Sequence, residues 1–191
     1  RNFDIQNDSL FIIEINAEEN LTTTTMQLPE LYGMPPNGIQ GDDDPTDETD
    51  GLQTNDARYL GAVRYTNLSK ESIIEFVGNT KDFQSSRSAI YHGVLKSESG
   101  SANYSLSANV IGVDSLDFGY PNIAFTHNGQ GCYEGTLIAF NHTSATTFAG
   151  ISGIFHSKIA FISTGTGNKE IYICAFDGYS PGRVTNTKNI T

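Results

Sequence analysis

Tryptophan is absent from this sequence, which removes a common sugar-stacking side chain. Cysteine is nearly absent: Cys132 and Cys174 allow one disulfide between them, or a buried thiol at Cys174 and an exposed one at Cys132. So few thiols exclude a disulfide-dense miniprotein and a cysteine-built zinc site. No apolar run approaches the ~18 residues of a membrane-spanning helix, so no membrane insertion is expected. Bases are missing from most of the first third, where residues 1–57 hold 13 of the 22 acids and only Arg1 against them. With a net charge of −11, binding nucleic acid through its phosphates is excluded. His-Glu-X-X-His, Cys-X-X-Cys and Gly-X-Ser-X-Gly are all missing, and with them the local signatures of zinc hydrolases, thiol redox proteins and α/β-hydrolases.

Polarity comes instead from 17 Ser, 19 Thr, 16 Asn and 19 Gly. These residues favour turns and strands over helices. Helical periodicity is almost lacking; the nearest candidate, residues 67–77, carries β-branched Ile73 and Ile74 where a helix prefers Leu or Ala. Short apolar or alternating runs recur at 10–15, 59–65, 72–77, 89–95, 104–113, 122–125, 136–140, 157–162 and 170–176, separated by Gly, Asn, Asp and Pro. That rhythm predicts an all-β fold of consecutive antiparallel hairpins, a β-sandwich or barrel, with a small propeller-like ring as the alternative. The 191 residues suit a single β-rich domain with a core large enough to stand without a metal. Starting without Met or a charged-then-apolar leader, the chain reads as a piece of a longer polypeptide.

Residues 28–56 break the rhythm. They carry Pro29, Pro35, Pro36 and Pro45 and the densest acidic run, and are expected to form one long mobile excursion contributing little to the core. Asp42, Asp44, Asp47 and Asp50 in that run could wrap a calcium ion, a hard cation that takes six to eight oxygens. EF-hand spacing is not met and Pro45 interrupts the run, so a solvated acidic loop is the competing reading; no other cofactor is expected. Asn-X-Ser/Thr acceptors stand at Asn7, Asn20, Asn67, Asn103, Asn141 and Asn189, a mild excess that points to an extracellular place, on a cell or virion surface. His127 and His142 flank one hairpin and could approach each other. Asp114, Asp117 and Glu134 are the acids from which a hydrolytic pair could be drawn.

The sequence also repeats itself. Residues 122–141 (NIAFTHNGQGCYEGTLIAFN) and 158–177 (KIAFISTGTGNKEIYICAFD) share eight identities in twenty positions at a shift of 36, and each reads as a strand, a Gly-rich turn and a return strand. Weaker copies pair 61–65 with 72–76 and 89–91 with 104–109, leaving 10–16 as a return strand without a partner. Residues 157–187, with Lys158-Ile159-Ala160-Phe161, the turn before Ile171-Tyr172-Ile173, and Asp177-Gly178-Tyr179-Ser180-Pro181 leading to Arg183-Val184-Thr185, resemble one blade repeat of the TolB-type β-propellers. The resemblance implies that the Asp-Gly turn divides two inner blade strands from an outer one. The Pro-X-Trp/Phe-Ser-Pro-Asp-Gly segment that normally follows is missing, and the earlier copies lack the Asp-Gly turn.

Loops on a rigid β scaffold commonly host binding. The expected function is therefore non-enzymatic recognition or attachment, with a glycan or protein receptor as partner, as in a surface adhesin or a viral spike-like domain. A self-assembling structural subunit, for which a homo-oligomer would be natural, and a hydrolase with an acidic pair are the alternatives.

Overall fold

The computed structural model describes residues 9–41, 51–54, 56, 58–66, 71–97, 103–127, 133–156, 161–165, 170–174 and 186–189; at 126–127, 133–134, 155–156 and in the last three strands only the backbone is described. The ordered elements among them are all strands: β1 (Ser9–Ile15), β2 (Leu21–Gln27), β3 (Tyr59–Thr66), β4 (Ser72–Lys81), β5 (Ser88–Ser97), β6 (Tyr104–Ile111), β7 (Asp117–His127), β8 (Tyr133–Ser144), β9 (Thr147–His156), β10 (Phe161–Gly165), β11 (Glu170–Cys174) and β12 (Asn186–Asn189). The all-β expectation holds, and every strand pair is antiparallel.

Three sheets form: a β1-β2 ribbon, a four-stranded meander β3-β4-β5-β6, and a six-stranded meander running from β7 to β12. None closes on itself, so the described residues make stacked open layers and no barrel. Among the described residues these sheets do not complete a propeller ring either.

The four-stranded sheet is the middle layer, because the pleat sends alternate side chains to opposite faces and both faces find apolar partners. On one face, Val77 and Ile90 meet Phe118, Ile123, Ile138, Phe140 and Ile154 of the six-stranded sheet. Phe118 and Phe140 pack at 4.6 Å between ring centroids. On the other face, Phe76, Tyr91 and Ala108 meet Leu28 and Tyr32, with Leu10 of the ribbon against them. Tyr32 stands edge-on to Tyr91 at 5.1 Å, and Tyr59 edge-on to Phe76 at 4.7 Å, in the tilted geometry the ring quadrupole favours. Each fully buried Ile or Phe of these clusters contributes about 1.5–3 kcal/mol relative to exposure.

Residues 28–41 and 51–54 correct the expectation of a loop apart from the core. Leu28, Tyr32 and Thr54 are buried. Gly38 and Leu52 bridge each other by two backbone hydrogen bonds of 2.7 and 2.8 Å. The prolines remove ladder donors, and side chains of the body supply the missing partners. Gly33 N–H donates to Thr80 Oγ1 at 3.1 Å, Ile39 N–H to Asp117 Oδ2 at 3.2 Å, and Thr143 Oγ1 to the Ile39 carbonyl at 2.8 Å. Thr54 Oγ1 donates to the Pro36 carbonyl.

Strand β7 kinks at a bulge between Gly119 and Asn122, where Tyr120 takes a φ of 53°. Its N–H leaves the ladder and donates to Asn79 Oδ1 at 2.9 Å, and Pro121, which has no N–H, occupies the next position.

The paired hairpins read from the sequence exist: β3-β4, β5-β6, β7-β8 and β10-β11. Strand 10–16 is not an orphan, because β2, a Thr-rich strand that the reading passed over, pairs with it along its length. The two best repeats differ in register. Ile123 opposes Ile138 in the first, whereas Phe161 opposes Cys174 in the second. Shifted by the repeat length, Cys174 falls on Ile138 but Phe161 falls on Phe125, a slip of two residues. An even slip leaves each strand's faces unchanged, so the repeat tolerates it.

Candidate functional site

The β1-β2 ribbon is built so that its two faces have opposite fates. Leu10 packs on the middle sheet, and Tyr104 Oη donates to the Glu14 carboxylate, which pushes the Tyr104 phenol pKa up because ionising it would remove that donor. The intervening residues point outward: Phe11, Ile13 and Ile15 are 62%, 61% and 70% exposed. Across the ladder they face Thr25, Thr23 and Leu21, the last 64% exposed. The result is a continuous apolar stripe in water, the kind of feature that marks an interaction surface.

The tip of the ribbon is fixed by its own hydrogen bonds. Asn16 Oδ1 accepts from the Glu18 and Asn20 N–H groups, both at 2.9 Å, and Glu19, at a φ of 63°, donates its N–H to the Asn16 carbonyl at 3.0 Å. Glu18 and Glu19 are thereby held exposed at one end of the stripe. Residues 9–41 carry four carboxylates and no Lys, Arg or His.

A second polar constellation lies between the sheets. Glu75 is fully buried and accepts three hydrogen bonds, from Tyr65 Oη at 2.7 Å, Thr136 Oγ1 at 2.9 Å and His92 Nε2 at 2.9 Å. These partners come from β3, β8 and β5, so one carboxylate ties three neighbouring strands together. Bonds to a charged acceptor are stronger than neutral ones, and a buried carboxylate without them would be very costly. Among the described residues it is enclosed, which suits a structural role better than chemistry on a substrate.

His142 and Ser152 form a comparable pair, with Oγ 2.6 Å from Nδ1. The distance fits a nucleophile and its base, yet Ser152 is 1% and His142 6% exposed, so a substrate cannot reach either. Burial lowers the His142 pKa by disfavouring the imidazolium.

The residues singled out from sequence fall unevenly. Asp42, Asp44, Asp47 and Asp50 lie outside the described residues, as do Asn7, Asn67 and Cys132. Cys174 closes β11 and Asn189 closes β12, their side chains outside the described set, so the disulfide lies outside it too. Asn20 and Asn103 are exposed, while Asn141 donates its Nδ2 to the Gly150 carbonyl at 3.3 Å. His127 and His142 do not meet: His127 opposes Tyr133 at one end of the β7-β8 hairpin and His142 opposes Phe118 at the other, on the order of 30 Å away along the strands. Asp117 is committed elsewhere, accepting from Arg87 Nη1 at 2.6 Å and from the Ser88 N–H at 3.1 Å. Asp114 sits exposed in the turn before β7, and the Glu134 side chain is outside the described set.

Sequence reasoning missed Glu75 and its partners. The available signal was a lone Glu inside the apolar run Ile73-Ile74-Glu75-Phe76-Val77, beside a lone His in Tyr91-His92-Gly93-Val94. No helix among the described residues is long and apolar enough to cross a membrane, and no group of three or more His, Cys, Asp or Glu residues among them could hold a metal ion.

No protein-family model matches the chain, and no solved structure matches it. Curated relatives do. The Tol-Pal system protein TolB of Desulfosudis oleivorans is 63% identical over 41 residues, 22% of this chain and 9% of that protein. The Tol-Pal system protein TolB of Geobacter sulfurreducens is 43% identical over 51 residues, 27% of this chain and 12% of that protein. A TolB homolog of Chlorobaculum tepidum is 43% identical over 42 residues, 22% of this chain and 10% of that protein. The matched stretch thus spans about a tenth of the length of each relative. It is about as long as one copy of the 36-residue repeat. A part of this chain is similar to a TolB-type repeat, and the resemblance is partial.

Proposed function

We propose that the chain is a non-enzymatic protein-recognition domain that works outside the cytoplasm. The observation that carries this reading is the exposed stripe of Phe11, Ile13, Ile15 and Leu21 on a ribbon braced against a buried sheet. A rigid apolar surface needs little ordering on binding, so its burial is available to affinity. Similarity to proteins named for the Tol-Pal system supports a protein partner. The recurrent Asn-X-Ser/Thr acceptors accord with life outside the cytoplasm. Enclosure of Glu75, His142 and Ser152 accords with recognition over catalysis.

A self-assembling subunit is the second reading, favoured by the outer strands of the three sheets, which pair on one side only among the described residues. Probing the intact chain against a displayed random-peptide library, a glycan array and a sedimentation dilution series separates the readings. Peptide binders with a monomeric chain are expected. Glycan binding without peptide binders, or concentration-driven growth into filaments, would overturn the proposal. For the acidic run, a calcium site at Asp42, Asp44, Asp47 and Asp50 requires added calcium to raise Tm, whereas a solvated loop leaves Tm unchanged.

A further inference from the structure

We infer that the outward face of the β1-β2 ribbon takes an extended cationic segment of a partner protein. Its alternate apolar residues lie on Phe11, Ile13, Ile15 and Leu21, and its lysine or arginine side chains reach Glu18 and Glu19. This deepens the protein-recognition reading above and rests on it.

Two features select that occupant. The first is spacing. Phe11, Ile13 and Ile15 stand on one face of a strand, so they repeat every two residues, about 6.8 Å apart. An extended segment with alternate apolar residues has the same repeat and can lay each side chain between two of these.

The second is charge. Glu18 and Glu19 are exposed beside the stripe, Glu30 is exposed on the segment that follows β2, and residues 9–41 supply no cation to answer them. The next base in sequence, Arg58, is already engaged by Asp56 through contacts of 2.8, 3.0 and 2.5 Å. A cationic partner is drawn in by this field and an acidic one is repelled. A second copy of this chain would bring the same carboxylates against themselves, at a net −11 per copy, which disfavours a homodimer through this face.

The test titrates the intact chain with a short capped peptide of alternating valine and lysine, and with the same peptide carrying glutamate for lysine. The double variants Phe11→Thr/Ile13→Thr and Glu18→Gln/Glu19→Gln are compared with the parent chain. All four side chains are exposed, so the variants should keep the parent's circular dichroism and Tm. The expected result is one-to-one binding of the lysine peptide, weakening with salt, and no binding of the glutamate peptide. The Thr pair should weaken binding about tenfold or more, the loss of apolar contact, and the Gln pair should flatten the salt dependence.

Unchanged binding in the Thr pair, equal binding of both peptides, or a dimer that the Thr pair abolishes would overturn the inference. Library peptides that bind but ignore the Thr pair would sink this inference and leave the recognition reading standing. A library with no binders at all would remove the reading beneath it.

Discussion

Strands β1 and β5 reverse what their sequences suggest. β1 reads Ser-Leu-Phe-Ile-Ile-Glu-Ile and leaves its outward residues in water; β5 carries Ser88, His92, Lys96 and Ser97 and buries every side chain but Lys96. The difference lies in what covers each face. β5 sits inside the middle layer with a sheet on one side and residues 10–32 contributing to the cover on the other. β1 belongs to an outer ribbon that, among the described residues, pairs with β2 alone. Burial therefore follows the number of covered faces, and a strand's own hydropathy does not settle it. Ser88 and His92 are tolerated inside because each is answered by a hydrogen bond, to the Phe118 carbonyl and to Glu75.

That contrast can be broken most severely at Glu75. Glu75→Ala strands the donors of Tyr65, Thr136 and His92 between the sheets. Losing one member of a buried charged network costs about 3–5 kcal/mol, which urea unfolding should record as a large drop in midpoint. A midpoint within experimental error of the parent would show that the middle layer does not depend on its polar staple.

Gly93→Ala comes next. A Cβ there would lie 2.1 Å from the Phe76 ring directly across the ladder, closer than any real contact, so the ring must shift within a packed cluster. About 1–3 kcal/mol of destabilisation is expected, along with loss of near-ultraviolet aromatic signal. If alanine fits at no cost, the second face of the middle sheet is looser than its burial implies.

A smaller effect follows from His142. Its folded pKa lies below the ordinary 6.5 because burial disfavours the imidazolium, so the unfolded chain takes up the proton first. The associated stability is fully present above 6.5 and is lost as the pH falls below it toward the folded value. The urea midpoint should decline on acidification through that window, and His142→Gln should reduce the decline. A slope identical in the variant would contradict the assignment.

The smallest expected change is in β1 itself. Ile13→Thr replaces a 61% exposed side chain by another β-branched residue and should move stability by less than about 0.5 kcal/mol. A substantial loss would mean that the outward face is covered by part of this chain, and the two-faced contrast would fall.

Much of the strand pattern was legible because period-2 alternation and turn residues are local. β1, β3 through β6, β8 and β11 were located to within a few residues, β7 and β10 in part, and the repeat announced its hairpins. β2 was missed because Leu21-Thr22-Thr23-Thr24-Thr25-Met26 shows little apolar contrast between its faces, and β9 because Gly150 and Gly153 interrupt its apolar pattern. The excursion at 28–41 was misjudged because its prolines do exclude a ladder, but they do not exclude packing. Its donors and acceptors find Thr80, Asp117 and Thr143, residues distant in sequence that no local pattern could nominate.

What the sequence determined by itself was the class: strands, antiparallel hairpins, an acidic first third and a repeated hairpin unit, since each of these is written in neighbouring residues. Only the tertiary structure decided which strands lie in the middle, that Glu75 is met from three strands at once, and that Phe11, Ile13 and Ile15 are left uncovered. Those outcomes depend on which faces are stacked, and stacking joins residues tens of positions apart through burial and hydrogen-bond satisfaction, to which local pattern is blind.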